Sequence, residues 1–195
     1  MDELRRAVFL DRDGVLNPQA YYAERDELDS PLTPEALTIY DWAAPCLKRL
    51  HESGYLLVVV TNQPAYAKRK TTLDDLAGVR DRFLEHFREL GVEFDLYLSC
   101  RHHPKSALPE LRQACDCRKP MPGLLLQAAR ALEIDLRASW IIGDRDTDIW
   151  AGEKAGCRTI LVRSLEEGRN GHSQPEHRCE DLVEACDVIL GEIAP

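Results

Sequence analysis

Six short apolar, β-rich runs recur along the chain, at 7–10, 56–60, 96–99, 140–142, 159–162 and 187–190, and amphipathic helical patterns fill most of the gaps between them. The helix candidates are 43–53, closed by Gly54; 74–90, closed by Gly91; 123–133, opened after Pro122; and 147–155, closed by Gly156. Buried strands separated by helices of this length predict an α/β fold, a doubly wound parallel sheet covered on both faces. In such sheets ligands sit beyond the carboxyl ends of the strands. With 195 residues, 44% of them hydrophobic, the chain suffices for one well-buried core and is short for two, so a single domain over 1–195 is expected.

The longest apolar run, Leu56 to Val60, falls far below the roughly 20 residues that span a bilayer. The Met1-Asp2-Glu3 start lacks the basic-then-apolar profile of a signal peptide, so a cytoplasmic protein with no membrane partner is expected. A formal net charge of −9 argues against nucleic acid as a partner, while leaving room for a local basic pocket that holds a small anion. In a reducing compartment the seven cysteines do not read as a disulfide framework. Their odd number, with Cys100, Cys115 and Cys117 clustered, points to a metal for the cluster and reduced thiols at Cys46, Cys157, Cys179 and Cys186.

Two stretches interrupt the rhythm, 17–38 and 101–122, the second with four prolines. Neither shows a clear strand or helix, and both begin at strand ends, which would place them over the mouth of a site. The polar segment 164–178 reads as mobile.

Chemistry gathers at the strand ends. The first run ends in Asp11-Arg12-Asp13-Gly14, the second in Thr61-Asn62-Gln63 and the fourth in Gly143-Asp144-Arg145-Asp146-Thr147-Asp148, with Cys117-Arg118-Lys119-Pro120 ahead of a helix start. In a parallel sheet all four converge on one rim, which then carries carboxylates, a hydroxyl, amide donors and a lysine. Phosphoryl transfer needs one nucleophile, one Mg²⁺ and a few cationic or neutral donors around the equatorial oxygens. Asp11 is the candidate nucleophile, forming an aspartyl-phosphate, and Asp13 the acid and then base. Mg²⁺ takes oxygen ligands, for which Asp11, the main-chain carbonyl of Asp13 and Asp144 suffice, with Asp148 orienting them. Thr61 and Lys119 are expected to hold the phosphoryl oxygens, with Asn62 as a further donor. An isolated Asp-x-Asp more often caps a loop, and a receiver module that accepts phosphate without turnover shares an acidic pocket, a threonine and a lysine. An acid/base two residues after the nucleophile suits turnover instead.

Taken in order, these four segments resemble the motifs of the haloacid dehalogenase-like (HAD-like) phosphatases, over roughly residues 7 to 162. The resemblance implies a Mg²⁺-dependent phosphomonoesterase without a large cap, monomeric by analogy, with Arg12 among the phosphate contacts. Cys100-Arg101-His102-His103-Pro104 with Cys115-Asp116-Cys117 is similar to the zinc loop of D-glycero-D-manno-heptose 1,7-bisphosphate 7-phosphatases and of the related histidinol-phosphate phosphatases. Zinc favours four tetrahedral S and N ligands, assigned to Cys100, His102, Cys115 and Cys117, with His103 as the competing ligand. This zinc would be structural, pinning the loop, about 100–119, that delivers Arg118 and Lys119. The twelve residues between His102 and Cys115 are similar to the longer loop of the heptose enzymes, which implies hydrolysis of the C7 phosphate of the sugar bisphosphate, with Arg118 at the second phosphate. The alternative substrates are histidinol phosphate or another small phosphomonoester, and the alternative role for Arg118 is an ion pair with Asp116.

The chain departs from the heptose pattern at 17–38 and after Gln63, where Pro64-Ala65-Tyr66-Ala67-Lys68-Arg69-Lys70 stands in place of a Ser-Gly-Ile-Ala-Arg-Gly-like stretch. Lys68, Arg69 and Lys70 read as a solvated run rather than a phosphate clamp. Trp42, Trp140 and Trp150 read as packing residues, and Tyr21 and Tyr22 as covering either a sugar or their own loop.

Overall fold

The computed structural model describes residues 4–163 and 171–191. Strands β1 (Arg6–Leu10), β4 (Tyr55–Asn62), β5 (Leu96–Cys100), β6 (Trp140–Gly143), β7 (Arg158–Val162) and β8 (His177–Cys179) form one parallel sheet in the order β5-β4-β1-β6-β7-β8. A small antiparallel hairpin, β2 (Ala20–Tyr22) and β3 (Glu27–Asp29), stands apart from it. Helices α1 (Ala43–Glu52), α2 (Leu73–Glu89), α3 (Gly123–Leu132), α4 (Asp146–Ala155) and α5 (Leu182–Gly191) supply the covering layers. After β5 the chain crosses back over β1 to lay down β6, so the order reverses beside β1, the position where doubly wound sheets open a crevice.

Alternation along β1 explains why the sheet is buried on both faces. Val8 and Leu10 join one apolar cluster with α1, α2 and α5, while Ala7 and Phe9 join the other with α3 and α4. The first cluster is closed at one end by aromatic rings: Phe83 packs at 4.9 Å from Phe87, 5.5 Å from Phe94 and 6.0 Å from Tyr97.

Three expectations change here. The run 187–190 is not a strand but part of α5, where Leu182, Ala185, Cys186 and Ile189 are buried at helical spacing. A short apolar run does not distinguish the two periods, and its longer frame decides. The sixth strand is instead β8, whose polar residues at the sheet edge carry no apolar signal. The loop 17–38 contains the β2–β3 hairpin, held by Tyr22, whose hydroxyl accepts from Leu32 N at 2.7 Å and donates to the Ser30 carbonyl. Of the segment 164–178, residues 164–170 lie outside the described residues. Among the described residues no large cap covers the sheet, and no helix is long and apolar enough to cross a membrane.

Phe83→Ala, which empties the centre of the aromatic cluster, is expected to cost about 3–5 kcal/mol of unfolding free energy, read as a lowered urea midpoint at unchanged m.

Candidate active site

β1 ends at Leu10, whose sheet partners are Val59 on β4 and Ile142 on β6, so Asp11 emerges level with Val60 and Gly143. Its backbone N–H donates to the Ile142 carbonyl at 3.0 Å and holds it there. The turn that follows requires Gly14: its φ is +92°, and a β-carbon at that position would fall 2.4 Å from Asp144 Oδ2. Gly143 on β6 permits a second close approach, since a β-carbon there would fall 2.1 Å from that of Asp148. The two glycines let three carboxylates crowd together, and those of Asp11, Asp144 and Asp148 each place an oxygen within 4.8 Å of the others.

The Lys119 side chain enters this cluster. Its Nζ lies 2.6 Å from Asp148, 3.0 Å from Asp11 and 2.8 Å from the Val60 carbonyl, at 2% exposure. Burial alone would lower the pKa of this ammonium, but Asp11 and Asp148 raise it above the ordinary value. Lys119, even with Arg145 Nε 3.8 Å from Asp144, leaves three buried carboxylates with surplus negative charge. Burial, then Asp11 and Asp148, push Asp144 up to about 8, and burial, against the pull of Lys119, pushes Asp148 up to about 6. Hard oxygen ligands at this separation with surplus negative charge suit a divalent cation. Asp148 is committed on both sides, to Lys119 and to the Arg145 N–H at 3.1 Å, in keeping with an orienting role.

Asp13 faces the same cavity and is held differently. Arg12 donates to it through Nε and Nη2 (3.1 and 2.9 Å to Oδ1), Asn17 through Nδ2 at 3.0 Å, and Gln63 through Nε2 at 2.6 Å. Arg12, expected at the phosphate, is a correction: its guanidinium is buried against Asp13 and the Tyr97 hydroxyl and does not line the cavity. Thr61 also lies behind the cavity wall, its hydroxyl accepting from Gln63 at 3.0 Å. Asn62 does line the cavity, and its amide clasps the backbone of Lys119 in both directions at 3.1 Å, joining the ends of β4 and the loop before α3.

The cavity, about 310 Å³, is completed by Gln19 and Ser30 from the two bases of the hairpin, by Lys68, Arg118 and Arg145, and by Trp150 and His172. Arg118 donates to the His102 carbonyl at 3.1 Å, so it belongs to the cavity wall rather than to an ion pair with Asp116. The run after Gln63 divides. Lys70 binds Glu27 and Asp29 of the hairpin at 2.9 and 2.5 Å, whereas Lys68 stands at the cavity mouth. Partial desolvation lowers the pKa of Lys68 against the pull of Asp29, and the nearby charges of Lys70, Arg118 and Arg145 lower it further. Tyr21 and Tyr22 serve their own loop: Tyr21 bonds Asp26, and neither lines the cavity. Trp150, expected to be packing, is part of the wall, while Trp140 is buried and Trp42 stacks on Tyr40. Asn17, Lys68, Trp150 and His172 were not marked as site residues by the sequence. A carboxylate beside a glycine turn needs donors, but which residue supplies them is set by the turn's path.

Beside this cavity the strand register pairs Asn62 with Cys100, and Gln63 N–H donates to the Cys100 carbonyl at 2.7 Å. Cys100, His102, Cys115 and Cys117 bring three Sγ atoms and His102 Nδ1 within 4.8 Å of one another, with S···S separations of 3.1, 3.4 and 3.7 Å. Tetrahedral zinc with Zn–S of about 2.3 Å places its sulfurs at about this spacing. His102 Nε2 meets the Gln113 side-chain amide at 2.8 Å, the outer contact that fixes a ligating ring. His103 turns away, its Nδ1 accepting from Lys105 N at 3.1 Å. The remaining cysteines are buried free thiols.

A family model described as HAD-hydrolase-like matches residues 116–185. The D-glycero-beta-D-manno-heptose-1,7-bisphosphate 7-phosphatase of Vibrio cholerae is 40% identical over 159 residues, 81% of this chain and 81% of its own length. Its Pasteurella multocida counterpart is 34% identical over 191 residues, 96% of this chain and 98% of its own length. Among solved structures, D,D-heptose 1,7-bisphosphate phosphatase from B. bronchiseptica, complexed with magnesium and phosphate, is similar at 27% identity with a TM-score of 0.79, over 96% of this chain and 99% of the other.

Lys119→Met is expected to destabilise the fold by about 3 kcal/mol, since it leaves buried carboxylates without their cation, and Lys119→Met/Asp148→Asn to recover part of that loss in a double-mutant cycle of urea midpoints.

Proposed function

The chain belongs to the HAD-like phosphatases and is a phosphoric monoester hydrolase, and on that premise we propose that it removes the C7 phosphate of D-glycero-D-manno-heptose 1,7-bisphosphate. The observation that carries this reading is the meeting, in one cavity, of Asp11 and Asp13 with a cationic set, Lys68 and Arg118 with Arg145 between them and Asp144. One phosphoryl group would be processed at the carboxylate end, and a second would be held by the cations, giving a bisphosphate binding energy that monophosphates lack.

In this reading Asp11 attacks phosphorus and carries it as an aspartyl-phosphate, while the alcohol leaves with a proton from Asp13. Asp13 then takes a proton from the water that attacks the acyl phosphate, releasing inorganic phosphate and restoring Asp11. Lys119, already on Asp11, neutralises charge that gathers on the phosphoryl oxygens. Asp11, Asp144 and the Asp13 carbonyl would hold Mg²⁺, which supplies charge stabilisation for the transferring group when bound. Arg12, Asn17 and Gln63 fix the direction in which Asp13 points. Thr61 contributes through Gln63 rather than by touching the phosphate.

Cys100, His102, Cys115 and Cys117 would hold a structural Zn²⁺. Burial pushes the Cys100 thiol up, and a cation among the sulfurs removes the cost of ionising neighbouring thiols. The metal would keep the loop folded so that Arg118 and Lys119 reach the cavity. The reading treats the chain as one enzymatic unit, monomeric and cytoplasmic, the compartment in which such thiols stay reduced.

A phosphate-release screen comparing both anomers of heptose 1,7-bisphosphate with histidinol phosphate and hexose monophosphates is expected to favour a heptose bisphosphate by at least tenfold in kcat/KM; a preference for histidinol phosphate would replace the substrate assignment. Asp11→Asn is expected to abolish hydrolysis, and Asp13→Asn to slow it by about 10²–10⁴-fold without unfolding the protein. Metal analysis should find about one zinc per chain, and Cys115→Ser should lose it together with thermal stability. A zinc-free preparation of full activity would sink that assignment.

A further inference from the structure

Asp13 lines the catalytic cavity, but Arg12 and Gln63, two of the residues that hold its carboxylate, line a second one. This second cavity, about 220 Å³, is walled by Tyr97 and Ser99 of β5, by Arg101 just after it, and by Arg80 with the apolar first turns of α2. Three arginines line it and no carboxylate does, in a chain whose formal net charge is −9. Arg12 shares its charge with Asp13 at 2.9 Å and Arg80 with the neighbouring Asp81 at 2.7 Å, whereas among the described residues Arg101 has no acidic partner. Neutral donors stand beside the cations: the Ser99 and Tyr97 hydroxyls and the Gln63 amide. The volume falls below the roughly 300–1,000 Å³ of ordinary small-molecule sites, which favours a compact occupant.

We propose that this cavity is a second anion site for a small tetrahedral oxyanion of the inorganic phosphate type, coupled to the catalytic site through Arg12 and Gln63. Arginine forks and hydroxyl donors match such an oxyanion, and the arginine charges collected there draw it in. An anion bound there competes with Asp13 for the Arg12 guanidinium and the Gln63 amide, so it loosens the grip on the Asp13 carboxylate. Resting on the reading of Asp13 as acid/base, the consequence is that released phosphate acts at two places: against substrate in the catalytic cavity, and on turnover from behind Asp13.

Titration of the whole protein with inorganic phosphate, by calorimetry and by equilibrium dialysis, tests the site directly. The wild-type chain is expected to bind a second phosphate beyond the catalytic one, and Arg101→Gln to weaken that second event by about tenfold or more while leaving the first. Steady-state inhibition by phosphate should be mixed in the wild type, lowering kcat as well as raising KM, and purely competitive in Arg101→Gln. Arg101→Lys, which keeps the charge and loses the fork, should retain a weakened second site. A single phosphate per wild-type chain, or two with equal affinity in wild type and Arg101→Gln, would overturn the proposal. An Asp13→Asn variant with undiminished turnover would overturn the acid/base reading instead and leave the phosphate count standing.

Discussion

The buried contact of Lys119 with Asp11 and Asp148 organises the rest of the structure. Ion pairs of this kind are expensive to desolvate and are retained where charge is needed in place. Here the ammonium also binds the Val60 carbonyl, so one side chain joins the ends of β1 and β4 to the first turn of α4. Asn62 holds the backbone of that same lysine, and Asn62 is itself paired in the sheet with Cys100 of the sulfur cluster. The loop that carries the cysteines is therefore mechanically continuous with the acidic centre.

Charge separates the surroundings of the two leading aspartates. Asp11 sits among carboxylates and a lysine, an environment short of positive charge that a divalent cation would suit. Asp13 sits among donors, with an arginine, an amide and an asparagine aimed at it. Two carboxylates two positions apart in the chain thus face opposite electrostatic problems, the condition under which the proposed nucleophile and the proposed proton carrier can differ. The hairpin over the cavity is tied down by charge as well, through Lys70 to Glu27 and Asp29, which anchors it to the segment that follows β4.

Much of this was legible in the sequence because it depends on local rules. The parallel sheet followed from apolar runs and helix spacing, and the convergence of 11–14, 61–63, 118–119 and 143–148 followed from the rule that strand ends share a rim. The choice of His102 over His103 could not be read from spacing; it is made by the loop's path, which gives His103 to Lys105 N. Arg12 was misplaced for a similar reason. Its position between Asp11 and Asp13 suggests a substrate contact, but the turn after β1 sends it to the opposite side, where Tyr97 receives it. Lys68 and Lys70 looked like one solvated run, and only tertiary packing divides them between cavity and hairpin. α5 was hidden because a Val-Ile-Leu run fits either period, and β8 because an edge strand of His, Arg and Cys has no apolar signature.

In the proposed reaction the phosphoryl group passes through the carboxylate of Asp11. Quenching the enzyme during turnover and reducing it with borohydride converts an aspartyl-phosphate to homoserine, which peptide mass analysis locates. Homoserine is expected at position 11, appearing with substrate and absent without it. Homoserine at another aspartate, or none in enzyme stopped at full turnover under conditions that preserve acyl phosphates, would contradict it.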